Sequence, residues 1–138
     1  NSPEQIKLAL SQGYDCEVDV WFVEDTGWML GHDEPTYWVD DEFIQQPGLW
    51  LHAKNLMALY VLGSDLRLNY FWHQDDDFTL TSKGSIWTYP GNTLTKNSIM
   101  VQPERDNPEL INLDFNCLGI CSKFVRKIKK IMPSDQSR

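Results

Sequence analysis

Residues 15–35 read DCEVDVWFVEDTGWMLGHDEP, and the strand that opens this stretch decides how the chain folds. Glu17 and Asp19 alternate with Val18 and Val20, so period-two geometry sends the carboxylates to one face and the valines to the other. The run continues Val20-Trp21-Phe22-Val23, too apolar for a solvated edge. Two carboxylates converging on a buried strand repel each other unless a cation lies between them, and hard cations such as Mg²⁺ and Ca²⁺ take such oxygen ligands. A polar strand face in water is the alternative for the same two residues.

The rest of the chain alternates in the same style. NSPEQIKLALSQG predicts a helix with Ser2 as N-cap, Pro3 at the first position, Gln5 completing a capping box and Gly13 as the stop. Strands follow over 15–23 and 28–32, separated by the turn Asp25-Thr26-Gly27. A short helix is expected over 40–46, a strand over 49–54 and a helix in NLMALYVLG. Further strands are expected over 68–74 and 78–82, in SIWTYPG, SIMVQPE and CLGICSKF, with a basic helix VRKIKKIM to finish. Helix and strand alternation argues for an α/β fold with a largely parallel sheet. The second half leaves little room for crossovers, so the expectation is a compact, incomplete (β/α)8 TIM-type barrel, one domain over 1–138.

Composition narrows the function classes. The 138 residues carry a net charge of −8, which disfavours attraction to nucleic acid or to an anionic membrane surface. No stretch reaches the ~18 apolar residues of a membrane span. Cys16, Cys117 and Cys121 form no CxxC pair and no even framework, so buried reduced thiols and a cytoplasmic location are expected. Six tryptophans suggest large apolar walls. Of these, Trp21, Trp50, Trp72 and Trp87 are candidates to line a pocket, with core packing as their other use.

Ionisable residues gather near the ends of three expected strands. His32 follows the second extended run in GHDEP. His52 and Lys54 alternate in WLHAKN, and a buried lysine needs an anionic partner such as a phosphate or a metal-bound carboxylate. His73 follows Tyr70-Phe71-Trp72. Taken singly, His32 reads equally as a turn residue and His73 as a capping or core histidine. Together they fit the parallel-barrel rule that reactive groups collect at strand C-termini.

With these residues in view, 1–35 resembles the front of the glycerophosphodiester phosphodiesterase family, relatives of phosphatidylinositol-specific phospholipase C. The shared features are a helix preceded by Asn-Ser, a Glu-x-Asp strand and a His-Asp motif. The WLHAKN strand and the segment WHQDDDFTLTSKG further resemble a compact bacterial and phage branch. The resemblance implies a (β/α)8 barrel, a divalent metal (Mg²⁺, Ca²⁺ or Mn²⁺) on Glu17 and Asp19, and His32 as a catalytic histidine. Where the family carries Glu-x-Lys, this chain reads His52-Ala53-Lys54. His52 would then replace a carboxylate ligand, shifting preference toward Mn²⁺ or Zn²⁺, and Lys54 would meet the phosphate. Lys123 stands where the family's last strand ends in Asp.

The family's first strand bears His-Arg-Gly, and the chain opens on the helix that should follow it, so truncation at the N-terminus is expected. That would leave the strand of Glu17 and the strand CLGICSKF flanking a gap, open to self-association through exposed edges. The leading expectation is a metal-dependent phosphodiesterase acting on a small phosphodiester of glycerol or a related alcohol. The alternative is a catalytically impaired pocket that binds a phosphorylated head group or sugar phosphate. A structural module with an incidental acidic cleft is a third reading.

Overall fold

The computed structural model describes residues 1–134. Asn1–Gln74 with Thr81–Lys83 form one compact unit, and Asp75–Leu80 with the chain from Gly84 onward form a second.

The first unit is built around β1 (Cys16–Val23). Only the residues 24–26 separate it from β2 (Gly27–Leu30), with Asp25 at φ 62° and Gly27 at φ 93° closing the turn. So short a link cannot cross over a sheet, and β2 returns antiparallel, followed by an antiparallel β3 (Tyr37–Trp38). The other side of β1 takes β4 (Leu49–Ala53) in parallel, and β4 takes β5 (Tyr70–Phe71) in parallel. The order is β3-β2-β1-β4-β5.

Three helices serve this sheet: α1 (Pro3–Ser11), α2 (Asp41–Ile44) and α3 (Leu56–Leu62). Pro3 starts α1, but the expected capping box does not form, since the Ser2 hydroxyl bonds Glu4 instead. Its C-terminus closes as a Schellman motif, with Gly13 at φ 83° and bonds Tyr14 N–H to Ala9 and Gly13 N–H to Leu10. Asp40 caps α2 and Asn55 caps α3 through their side chains. The core joins Ile6, Phe43, Ile44, Ala58 and Leu62 of the helices to Val18, Val20, Trp28, Leu30, Leu49, Leu51 and Ala53 of the sheet. By alternation, Glu17, Asp19, Trp21, Trp50 and His52 occupy the opposite face.

β1 is longer than the strands beside it. It pairs with β4 over Cys16–Val20 and with β2 over Val20–Val23, so each side runs out of strand halfway. Two asparagine side chains continue the pairing. On the β4 side, Asn55 accepts from the Phe22 N–H at 3.1 Å and donates to the Phe22 carbonyl at 2.9 Å. On the β2 side, the Asp19 N–H donates to Asn1 Oδ1 at 2.8 Å and the Asp19 carbonyl accepts from the Gly31 N–H at 3.1 Å. A primary amide offers the same donor and acceptor as a peptide group, so Asn55 replaces one missing residue of the neighbouring strand, while Asn1 supplies only the acceptor and Gly31 the donor.

The second unit holds β6 (Phe78–Leu80), β7 (Ile86–Thr88), β8 (Ser98–Val101) and β9 (Gly119–Cys121), in that order across the sheet. β6 and β7 are antiparallel, and β7, β8 and β9 run parallel. Every residue of β8 is buried, and α4 (Val125–Ile131) follows β9 with Ile128 buried.

These findings correct the expected barrel. The described residues form two mixed sheets, of five and four strands, with four α-helices, and neither sheet is a closed parallel barrel. Of the tight links in the second half that suggested compressed crossovers, the one from β6 to β7 is a hairpin, while β7, β8 and β9 do run parallel but within a four-stranded sheet. The Glu17 strand is also not an open edge as expected, because β1 is paired with β2 on one side and β4 on the other, and CLGICSKF belongs to the other sheet. The strand expected over 68–74 shrinks to Tyr70–Phe71, and β3 was not foreseen.

Asn55 should be a stability determinant. Replacing it with Ala removes the α3 cap, about 1 kcal/mol, and strands the Phe22 N–H and carbonyl, about 1–3 kcal/mol. Urea unfolding of Asn55→Ala is expected to lose about 2–4 kcal/mol in total. A loss under about 0.5 kcal/mol would show that water satisfies Phe22 without cost.

Candidate metal centre

In the parallel pairing of β1 with β4, Asp19 lies opposite His52 and Glu17 opposite Trp50. Residues paired this way share a face, so the period-two pattern of each strand brings both acids and the imidazole together. His52 Nδ1 is 3.0 Å from Asp19 Oδ1 and 3.6 Å from Glu17 Oε1. One ligand atom from each of the three lies within 4.8 Å of the others. Ligand bonds of about 2.0–2.6 Å to one ion can connect atoms so spaced.

The His52 ring is held on both sides. It stacks on Phe71, with centroids 4.9 Å apart and planes 11° from parallel. Its Nε2 is 3.1 Å from the His73 carbonyl. A carbonyl can only accept, so Nε2 carries the proton and Nδ1 is the atom turned toward the carboxylates. In neutral His52, Nδ1 would therefore be a third acceptor among carboxylate oxygens. Such a cluster requires a positive species at its centre, either a proton on Nδ1 or a cation. This is also the outer arrangement of metal-binding histidines, whose second nitrogen commonly donates to a backbone carbonyl or carboxylate.

The ionisation pattern follows from burial and these bonds. Burial lowers the pKa of His52, but the hydrogen bonds to Asp19 and then to Glu17 outweigh it and raise the value to about 9. Burial pushes the Glu17 carboxyl above the usual carboxylate range, against the pull of His52. Burial also opposes the charge of Asp19, yet hydrogen bonds from His52 and Asn1 bring its pKa below the usual value.

The other expected site residues are placed as follows. Lys54 Nζ lies 3.9 Å from Asp19 Oδ1 with its side chain largely buried. His73 contributes its carbonyl, and its ring centroid is 6.3 Å from that of His52. His32 is outside the converging group; its side chain is 73% exposed and its Nδ1 bonds Asp33 at 2.8 Å. It follows Gly31, whose φ of 156° and tight packing hold the loop, since a Cβ there would sit 1.9 Å from the Glu34 carbonyl oxygen. Trp87 is a buried residue of β7 in the second unit. The Trp50 indole donates to Asp15 at 3.0 Å. Sequence reasoning missed Asn1, which donates to Asp19 Oδ2 at 2.9 Å, and Phe71 as the platform for His52. Asn-Ser before the helix is among the features that carry the resemblance, but nothing in the pattern tied Asn1 to Asp19, because Asn-Ser-Pro reads as a lead into a helix.

A pH prediction follows for the ion-free protein. The folded-state pKa of His52 is raised, so its contribution is fully present below the unfolded value of 6.5 and is lost as pH rises through about 9. Melting temperature is expected to fall between pH 7 and 9, and His52→Gln should flatten that slope. An equal slope in the variant would place the titration elsewhere. No family model, curated protein or solved structure matches the chain, and the geometry of this cluster carries its functional reading.

Proposed function

We propose that the chain is a metal-dependent phosphodiesterase of the type it resembles, the glycerophosphodiester phosphodiesterases, with its ion on Glu17, Asp19 and His52. The observation that carries this reading is the convergence of two carboxylates and one imidazole nitrogen within 4.8 Å, on paired parallel strands. Two oxygens and one nitrogen form a donor set suited to Mn²⁺, and also to Mg²⁺ or Zn²⁺. When bound, a divalent ion supplies Lewis-acid polarisation of a phosphoryl oxygen and a fixed point for positioning an attacking hydroxyl.

The chain's own groups take the remaining roles. Glu17 and Asp19 provide the negative charge, and the His73 carbonyl keeps His52 Nδ1 turned toward them. Lys54 brings an ammonium to the edge of the cluster, where it would meet the charge of a phosphodiester. In His32 the Nδ1 proton is committed to Asp33, leaving Nε2 to take or give a proton to a substrate at the loop.

A second reading has its own support. Glu17, Asp19, His52 as imidazolium and Lys54 balance in charge without any ion, as the 3.0 Å and 3.9 Å contacts to Asp19 illustrate. Such a cluster suits a pocket that binds a phosphorylated head group or sugar phosphate and does no chemistry.

Melting curves and glycerophosphocholine hydrolysis with Mg²⁺, Mn²⁺ and Ca²⁺ separate these. The enzyme reading expects an ion-dependent rise in melting temperature that Glu17→Ala abolishes, together with ion-dependent turnover. His32→Ala is expected to slow that turnover about 10²–10⁴-fold while leaving the thermal shift intact. An ion-dependent thermal shift without turnover would keep the metal and remove the phosphodiesterase activity. No shift with any of the three ions at millimolar concentration would remove the metal and leave the ion-free binder.

A further inference from the structure

We infer that Asn1 is a positioning residue of the metal centre, acting through Asp19. The inference rests on the metal reading above. Asp19 is 4% exposed and lies in the middle of the site face, yet its carboxylate has two oxygens to satisfy. Oδ1 faces His52 at 3.0 Å and Lys54 at 3.9 Å. Oδ2 receives the Asn1 amide at 2.9 Å, and the same Asn1 accepts the Asp19 backbone N–H at 2.8 Å.

The two bonds together fix an orientation that neither could fix alone. Backbone contact registers the amide against the strand, and the side-chain contact then turns the carboxylate plane about that point. Oδ2 is thereby engaged away from the cluster and Oδ1 is presented to it. Without Asn1, a buried carboxylate oxygen and a strand N–H both lose their partners. Asp19 would then turn to recover a bond to Oδ2, taking Oδ1 away from His52. Outer partners of this kind typically contribute 10–100-fold to metal affinity.

The arrangement also explains why the amide sits there. β2 stops pairing with β1 at Val20, and although the Asp19 carbonyl still takes the Gly31 N–H, the Asp19 N–H has no backbone partner on that side. A side chain entering at that level reaches the backbone and the carboxylate of the same residue. An amide alone supplies the acceptor for the first and the donor for the second.

The test measures Mn²⁺ affinity by calorimetry and the Asp19 χ1 rotamer by three-bond Hα–Hβ couplings in the ion-free protein, for the parent chain and Asn1→Ala. Ser2→Ala, which disturbs only the exposed Ser2–Glu4 bond, is the control. The expected result is 10–100-fold weaker Mn²⁺ binding and an averaged Asp19 rotamer in Asn1→Ala, with Ser2→Ala unchanged. Equal affinity in the parent chain and Asn1→Ala would overturn the inference. Should the parent chain bind no Mn²⁺, the metal reading fails and the rotamer decides separately. Averaging in Asn1→Ala then upholds Asn1 as the group that orients Asp19, and a single retained rotamer overturns it.

Discussion

Three hydrogen-bond acceptors meet on one face of a sheet, and the rest of the site is arranged around that conflict. The His73 carbonyl takes the Nε2 proton of His52, so Nδ1 points at Asp19 and Glu17. Carboxylate oxygens and an unprotonated imidazole nitrogen cannot share a buried space without positive charge between them. In the ion-free protein a proton fills the role, which is why the pKa of His52 rises to about 9. A divalent cation would fill it with more charge and more ligands. The same three groups form an ion pair in the ion-free protein and are spaced so that they could hold a metal ion, which would displace the His52 proton.

Holding such a cluster requires a strand that does not shift. A slip of one residue in β1 would send Glu17 and Asp19 into the helix-covered core and bring Val18 and Val20 out. Register is secured by the apolar face, where Val18, Val20, Leu51 and Ala53 are each at most 1% exposed. It is secured again at the two places where β1 outruns its neighbours. Asn55 pairs with Phe22 and caps α3 with the same amide, tying the helix to the strand just beyond the cluster. Asn1 ties the opposite edge at Asp19. Stability and site geometry thus depend on the same few bonds.

How much of this the sequence revealed follows from the range of each interaction. The alternation Glu17-Val18-Asp19-Val20 and its counterpart Leu51-His52-Ala53-Lys54 are local, and they pointed to the face and the acids, whereas the place of His52 beside them came from the resemblance. The helices and the Asp25-Thr26-Gly27 turn are local too, although the capping box expected at Ser2 does not form and the caps at Asp40 and Asn55 went unread. Strand direction is not. Three linking residues at 24–26 force an antiparallel return, and the short links of the second half suggest a compact barrel where β6 to β9 instead form a mixed four-stranded sheet. The orientation of His52 depends on a carbonyl 21 positions away, and that of Asp19 on an amide 18 positions away. No pattern in the chain encodes either contact. His32 shows the converse, since its motif is conspicuous in the sequence while its side chain lies in solvent against Asp33.

The most direct test is the position of an ion. Crystals grown or soaked with Mn²⁺ should give an anomalous scattering peak within about 2.0–2.6 Å of Glu17, Asp19 and His52 Nδ1, with His52 Nε2 still on the His73 carbonyl. A cluster with no peak, His52 Nδ1 still bonded to Asp19 and the manganese absent or bound elsewhere, would contradict the assignment and leave a charge-balanced ion pair in its place.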